Sequence, residues 1–157
     1  MVKVLFVCLG NICRSPTADG IFRKLIADAG LDNQVQVDSA GTAGWHIGRA
    51  PDARTVAAAK NRGYDLSVLR ARQVSKADFA EFDYILAMDN ANLSDLKQLK
   101  PVNYQGHLGL FLAFSEQSHY REVPDPYHGG SEGFELVLDL VEDAAQGLLN
   151  DIRKHKL

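Results

Sequence analysis

The sequence predicts an open α/β fold: a parallel sheet of about four strands with helices layered on both faces. Three observations carry this. The apolar run Val2-Lys3-Val4-Leu5-Phe6-Val7, the helical pattern after it and the alternating segment Val35-Gln36-Val37-Asp38-Ser39 make a strand, helix, strand unit. Such a unit places its two strands parallel and crosses over right-handed. Strand-like and helix-like segments then keep alternating along the chain. With 157 residues, 46% of them hydrophobic, there is enough apolar surface for the core of one domain over residues 1–157 and too little for two.

The elements follow in order. From Pro16 to Ala29, residues Ala18, Ile21, Phe22, Leu25, Ile26 and Ala29 recur at three- and four-residue spacing before Gly30, which makes an amphipathic helix. Ser15 ahead of Pro16 predicts its start, with the hydroxyl as cap and proline at the first helical position. A glycine-rich loop, Ala40 to Gly48, follows the second strand. Pro51 opens a helix to about Arg62, stopped by Gly63, and Ser75 to Phe82 forms a short one. Asp83 to Met88 reads as a buried strand, and Asn92 to Lys100 as a helix closed by Pro101. Leu108 to Phe114 supplies the fourth strand. Ser115 to Val123 and Pro124 to Gly130 make a long surface loop, and the last helix runs from Ser131 to about Lys154. In such a layer the loops beyond the carboxyl ends of the strands gather on one edge, where open α/β sheets bind their ligands. Cys8, the Trp45 loop and Asp89 all follow strands, and Asp125 lies beyond the last one.

A formal net charge of −3 lacks the basic face that nucleic-acid proteins use to neutralise phosphates. The late cluster Arg153-Lys154-His155-Lys156 complements the negative end of the last helix instead. No run is long enough to span a membrane, and nothing ahead of Cys8 has the form of a signal peptide. Neither nucleic acid nor membrane is therefore expected as a partner, and the expected location is cytoplasmic. The two cysteines, Cys8 and Cys13, have no distant partner to staple; this excludes a disulfide scaffold and suits a working thiol in a reducing compartment. Together with five scattered histidines they show no ligand spacing for zinc. No metal or other cofactor is expected, and the expected assembly is a monomer or weak dimer.

The chemistry concentrates in Cys8-Leu9-Gly10-Asn11-Ile12-Cys13-Arg14-Ser15. A strand that ends in a tight loop and feeds a helix aims backbone N–H groups and the positive end of the helix dipole at one point, where an oxyanion fits. Cys8 stands beside both a helix start and a guanidinium, the influences that convert a thiol of ordinary pKa near 8.5 into a nucleophilic thiolate. Taken alone it also reads as a small buried hydrophobe at a strand end. Arg14 offers a planar fork that grips two oxygens of a tetrahedral anion and cannot lose its charge. Gly10 and Asn11 tolerate the positive φ that curls the loop inward, and Leu9, Ile12 and Cys13 complete the anion-binding ring. The Ser15 hydroxyl is also placed to donate to the Cys8 sulfur.

More distant residues complete the site. Asp125, between Pro124 and Pro126, is the candidate general acid, a role worth about 10² to 10⁴ in rate; the other reading is a turn residue beside proline. Trp45 and Tyr127 either wall a slot for a flat ring or pack as ordinary aromatics. Asp89 either caps the following helix or orients Arg14. Cys13, inside the same curl as Cys8, is a small filler or a redox partner within the Cα limit of about 7 Å for a disulfide.

With these residues in place, the chain resembles the low-molecular-weight protein tyrosine phosphatases over essentially its whole length. The resemblance rests on the octet, on Gly44-Trp45-His46-Ile47-Gly48-Arg49-Ala50-Pro51-Asp52, on Ala71-Arg72-Gln73-Val74, on Phe82 through Asp89 and on Asp125-Pro126-Tyr127. It implies a three-layer, flavodoxin-like fold of the phosphotyrosine phosphatase I type. It also implies metal-independent hydrolysis of phosphotyrosine in proteins and of small aryl phosphates through a phosphocysteine on Cys8. Arg14 would clamp the phosphate, Asp125 would act first as acid and then as base, and Asn11 would brace the loop with Ser39. Tyrosine-phosphorylated proteins are the implied partners, with inorganic phosphate as product and inhibitor. His128 departs from the family, where a second aromatic commonly stands. Three other readings remain open. One is an arsenate reductase, for which the lack of any cysteine after Cys13 leaves only an external thiol as reductant. The second is a protein arginine phosphatase, in which threonine usually replaces Ile12. The third is a phosphate-binding module without turnover.

Overall fold

The computed structural model describes residues 1–127 and 129–157; His128 lies outside the described residues. Four strands, β1 (Val2–Cys8), β2 (Val35–Gly41), β3 (Tyr84–Ala87) and β4 (His107–Leu110), form one parallel sheet in the order β2-β1-β3-β4. β1 lies inside, with Val2 paired to Val35 on one side and Val4 paired to Tyr84 on the other. A strand covered on both faces has no solvent side, which is why β1 reads as a nearly continuous apolar run.

Successive residues of β1 point to opposite faces, and each set enters its own core. Val4 and Phe6 join the core built with α1 (Arg14–Asp28), α2 (Ala53–Asn61) and α5 (Ser131–His155). Leu5 and Val7 join the smaller core built with α3 (Asp78–Glu81) and α4 (Asn90–Leu99). The Phe6 ring meets Phe22 of α1 edge-on at 5.8 Å and Phe111 at 4.9 Å, and across the sheet Phe79 of α3 meets Tyr104 at 5.1 Å. Each fully buried side chain of this size contributes about 1.5–3 kcal/mol. Helices on both faces of a parallel four-stranded sheet give the three-layer α/β architecture expected from the sequence. Among the described residues, no helix is long and apolar enough to cross a membrane.

Several boundaries differ from the sequence reading. The stretch Leu108–Phe114 divides, because β4 ends at Leu110 and Phe111–Phe114 form a 3-10 turn. A strand would send Phe111 and Leu112 to opposite faces, yet both are buried in the same core; the turn is what lets them share it. α1 begins at Arg14 rather than Pro16, with Cys13 in the cap position and no side-chain cap. Ser15 therefore does not cap the helix. α2 begins at Ala53, two residues after Pro51, because the Asp52 side chain caps it by accepting from Arg54 N at 2.8 Å. α4, by contrast, starts earlier than expected, at Asn90, with Asp89 as its cap.

The chain leaves β1 toward β2 on one side and returns to β3 on the other. An open sheet with such a reversal has a crevice beyond the carboxyl end of the inner strand. Cys8 is the last residue of that strand.

Candidate active site

The Cys8 sulfur accepts from Asn11 N at 3.3 Å and lies 3.0 Å from the Ser15 hydroxyl. Asn11 makes this possible by adopting φ = +58°, a left-handed conformation that asparagine reaches at less cost than most residues. Gly10, expected to share that conformation, does not adopt it. Its role is clearance: a Cβ there would sit 2.9 Å from Cδ2 of His46. Gly41 on β2 is needed for the same reason, since its Cβ would lie 2.7 Å from the Leu9 carbonyl oxygen.

The Asn11 side chain ties three segments together. Its Nδ2 donates to Ser15 Oγ at 2.8 Å and to Ser39 Oγ at 3.0 Å, and its Oδ1 accepts from Arg72 N at 3.0 Å. Arg72 is itself held by side-chain bonds to Asp38 and Asp78. Because the Asn11 amide supplies a hydrogen to Ser15 Oγ, the hydroxyl keeps its own hydrogen for the Cys8 sulfur. The competing acceptor, the Ala40 carbonyl, is farther away at 3.4 Å. The cap predicted for Ser15 lost to these partners.

The carbonyl oxygens of the loop are turned outward onto the scaffold. Cys8 O accepts from Thr42 N, Leu9 O from Ala43 N, Ile12 O from Asp52 N, and Cys13 O from both Thr17 N and Thr17 Oγ1. The chain has no cis peptide bonds among the described residues, and in a trans peptide the N–H points opposite to the C=O before it. The amides of Leu9, Gly10, Cys13 and Arg14 are thereby directed away from the scaffold. An anion held above Cys8 would meet them together with the start of α1.

Arg14 is buried, and its Nη1 donates to Asp89 Oδ2 at 2.7 Å and to the Val123 carbonyl at 3.0 Å. Its Nη2 lies 3.9 Å from Asp125 Oδ2. Burial works against the charge, but the Cys8 sulfur, then Asp89 and Asp125, more than offset it and hold the guanidinium pKa above its ordinary range. Asp89 fills both roles open to it: Oδ2 orients Arg14 while Oδ1 caps α4 by accepting from Asn92 N at 2.8 Å. Cys13 differs from Cys8 in its surroundings. Burial pushes its thiol up to about 12, against the Thr55 hydroxyl and with help from the charges of Asp52, Cys8 and Asp125. Both cysteines are free thiols.

One pocket gathers Cys8, Leu9, Gly10, Ile12, Cys13 and Arg14 at its floor and Trp45, His46, Asp125 and Tyr127 around its mouth. Trp45 is 70% exposed and Tyr127 40%, so part of each side chain is open to solvent beside the pocket. Asn11, Ser15 and Ser39 lie behind the floor as supports. Asp125 Oδ1 accepts from Tyr127 N at 3.1 Å. Sequence reasoning did not single out His46, the Val123 carbonyl or the Arg72 amide. His46 was signalled only by its place beside Trp45, and the two backbone groups carry no signal in residue type.

A family model described as low molecular weight phosphotyrosine protein phosphatase matches residues 3–157. The chain belongs to this family. A low molecular weight protein-tyrosine-phosphatase of Bacillus subtilis (strain 168) is 44% identical over 156 residues, covering 99% of each chain. A low molecular weight phosphotyrosine protein phosphatase of Schizosaccharomyces pombe is 43% identical over 153 residues, covering 96% of this chain and 97% of that one. The crystal structure of a protein tyrosine phosphatase from Entamoeba histolytica, with Hepes in its active site, superposes with a TM-score of 0.96 at 41% identity over 100% of both chains. The resemblance read from the octet and the distant motifs is thus a family membership, and the four-stranded α/β layer is shared with the family's solved phosphatases.

Proposed function

We propose that this low molecular weight phosphatase hydrolyses phosphotyrosine in proteins, and small aryl phosphates, in two steps through a phosphocysteine. In the first, the Cys8 thiolate attacks phosphorus and forms the S–P bond while the P–O bond to the aryl group breaks. Asp125 gives its proton to the departing phenolate oxygen. In the second, a water attacks the phosphocysteine, Asp125 takes the proton of that water, and the S–P bond breaks to release inorganic phosphate. The Ser15 hydroxyl donates to sulfur as it leaves.

Phosphoryl transfer asks the protein mainly for position and charge stabilisation. Arg14 and the amides of Leu9, Gly10, Cys13 and Arg14 supply donors fixed before substrate arrives. The observation that carries the reading is the joining of three roles in one pocket: a sulfur fed by two donors, a buried guanidinium beside it, and a carboxylate on the rim 3.9 Å from that guanidinium. Trp45 and Tyr127 wall the aromatic ring of the substrate. Phosphate, as product, competes for the same floor. A cytoplasmic location is the reading that suits a working thiol.

Purified protein in EDTA should hydrolyse nitrophenyl phosphate with a burst of released phenol, and Cys8→Ser should fall to the background rate while still binding phosphate. Phosphate binding with no burst in the unaltered protein would leave a binding module instead. Arsenate-dependent oxidation of an added thiol without phosphatase turnover would leave the reductase, and hydrolysis confined to phosphoarginine would leave the arginine phosphatase.

A further inference from the structure

We propose that Arg54 is a positioning residue that holds the acid-bearing segment over the phosphate-binding loop; this rests on Asp125 being the acid. Arg54 stands in the first turn of α2, outside the pocket lining. Its Nη2 donates to the Tyr127 carbonyl at 2.9 Å, two residues beyond Asp125. Its guanidinium carbon lies 5.4 Å from the centre of the Tyr127 ring and 4.9 Å from that of Phe134 on α5. On its other side Nε and Nη2 each reach the Asp52 carboxylate at 3.1 Å.

Asp52 connects this contact to the catalytic floor. Its backbone N–H donates to the Ile12 carbonyl at 2.8 Å, inside the octet. The arginine bonds hold the Asp52 carboxyl below its ordinary range, so it stays a charged anchor. A continuous strut therefore runs from Ile12 through Asp52 and Arg54 to Tyr127. Before Asp125, the segment is pinned by Val123, whose N–H donates to the Met88 carbonyl at 2.8 Å and whose carbonyl takes the Arg14 bond at 3.0 Å. Beyond Asp125, Arg54 provides a second point of attachment. Tyr127 N donates back to Asp125 Oδ1 at 3.1 Å, so fixing Tyr127 also fixes the carboxylate. Only a planar fork can bond a carboxylate with two donors, lie over aromatic rings and still reach a carbonyl, which is why lysine is a poor replacement.

The test compares kcat/KM, which reports the phosphocysteine-forming step, for phenyl phosphate and nitrophenyl phosphate. The poorer leaving group needs the proton more. Arg54→Met should lower kcat/KM for phenyl phosphate roughly tenfold more than for nitrophenyl phosphate, a fraction of the 10² to 10⁴ that a placed acid supplies. Arg54→Lys, which keeps a donor for the Tyr127 carbonyl, should discriminate less. Half of the Arg54 side chain is exposed, so both variants should fold, with Tm as the check. A merely structural arginine would move Tm and both substrates together. Equal losses, or none, in Arg54→Met overturn the strut if Asp125→Asn still separates the two substrates. If Asp125→Asn treats them alike, the acid reading fails, and the strut fails with it.

Discussion

Around the Cys8 sulfur the polar side chains and the loop carbonyls are committed to neighbours, leaving backbone amides for a guest, whereas the Asp125 side chain keeps 46% of its surface in solvent. Asn11 spends its amide on Ser15, Ser39 and Arg72, and the loop carbonyls of Cys8, Leu9, Ile12 and Cys13 are all bonded to the surrounding scaffold. The segment that carries Asp125 is attached on either side of it, at Val123 and at Tyr127, with the carboxylate hung between. The contrast fits the two tasks proposed for these regions. Charge spread over the oxygens of a transferring phosphoryl group is best met by donors that need no reorganisation. A proton donor at the rim has to admit a whole side chain before it acts, so it belongs on a less encumbered segment.

Changes to the two regions should therefore have different signatures. Among changes that leave the Cys8 sulfur in place, the largest effect is expected from Asp125→Asn, which should lower kcat/KM for phenyl phosphate about 10² to 10⁴-fold and for nitrophenyl phosphate far less, with phosphate inhibition unchanged. Weakened phosphate inhibition in that variant would mean the two regions are not separable. Asn11→Gly comes next. Glycine keeps the positive φ but removes the three side-chain bonds, each worth about 1 kcal/mol, so both aryl phosphates should slow alike, by roughly ten- to a hundredfold. A loss confined to the poorer leaving group would contradict the assignment of Asn11 to the floor.

The smallest effect concerns Cys13. Its native thiol is pushed up to about 12 from an ordinary 9.0, so the folded chain holds that proton while an unfolded one begins to release it. The associated stability is complete below about pH 9 and declines as pH rises toward 12. At pH 7 iodoacetamide should label Cys8 alone by peptide mapping, with Cys13 reacting only after denaturation. Rapid labelling of native Cys13 at that pH would show it to be as available as Cys8.

Much of the architecture was legible because it is local. The apolar run of β1, the octet and the amphipathic pattern of α1 lie in one stretch, and strand-to-helix turns have recognisable residues. Of the two roles expected of Ser15 the sulfur contact holds and the cap does not, because Ser before Pro looks the same in either case; the buried Asn11 amide decides which. Gly10 was misread because clearance from His46 and left-handed backbone both call for glycine, and only coordinates separate them. The turn at Phe111 escaped notice because a short apolar run does not reveal which face each residue must reach.

By itself the sequence determined the sheet and the strand-to-helix curl that carries Cys8 and Arg14, because each depends on neighbours along the chain and on residue chemistry that few alternatives share. Tertiary structure alone decided how Arg14 is aimed, since its partner Val123 lies 109 positions away and contributes a carbonyl that any residue would carry. It also decided how near Asp125 comes to that guanidinium. Long-range placement of backbone groups leaves no trace in residue type, so only packing of β1, α2 and the segment after β4 could establish it.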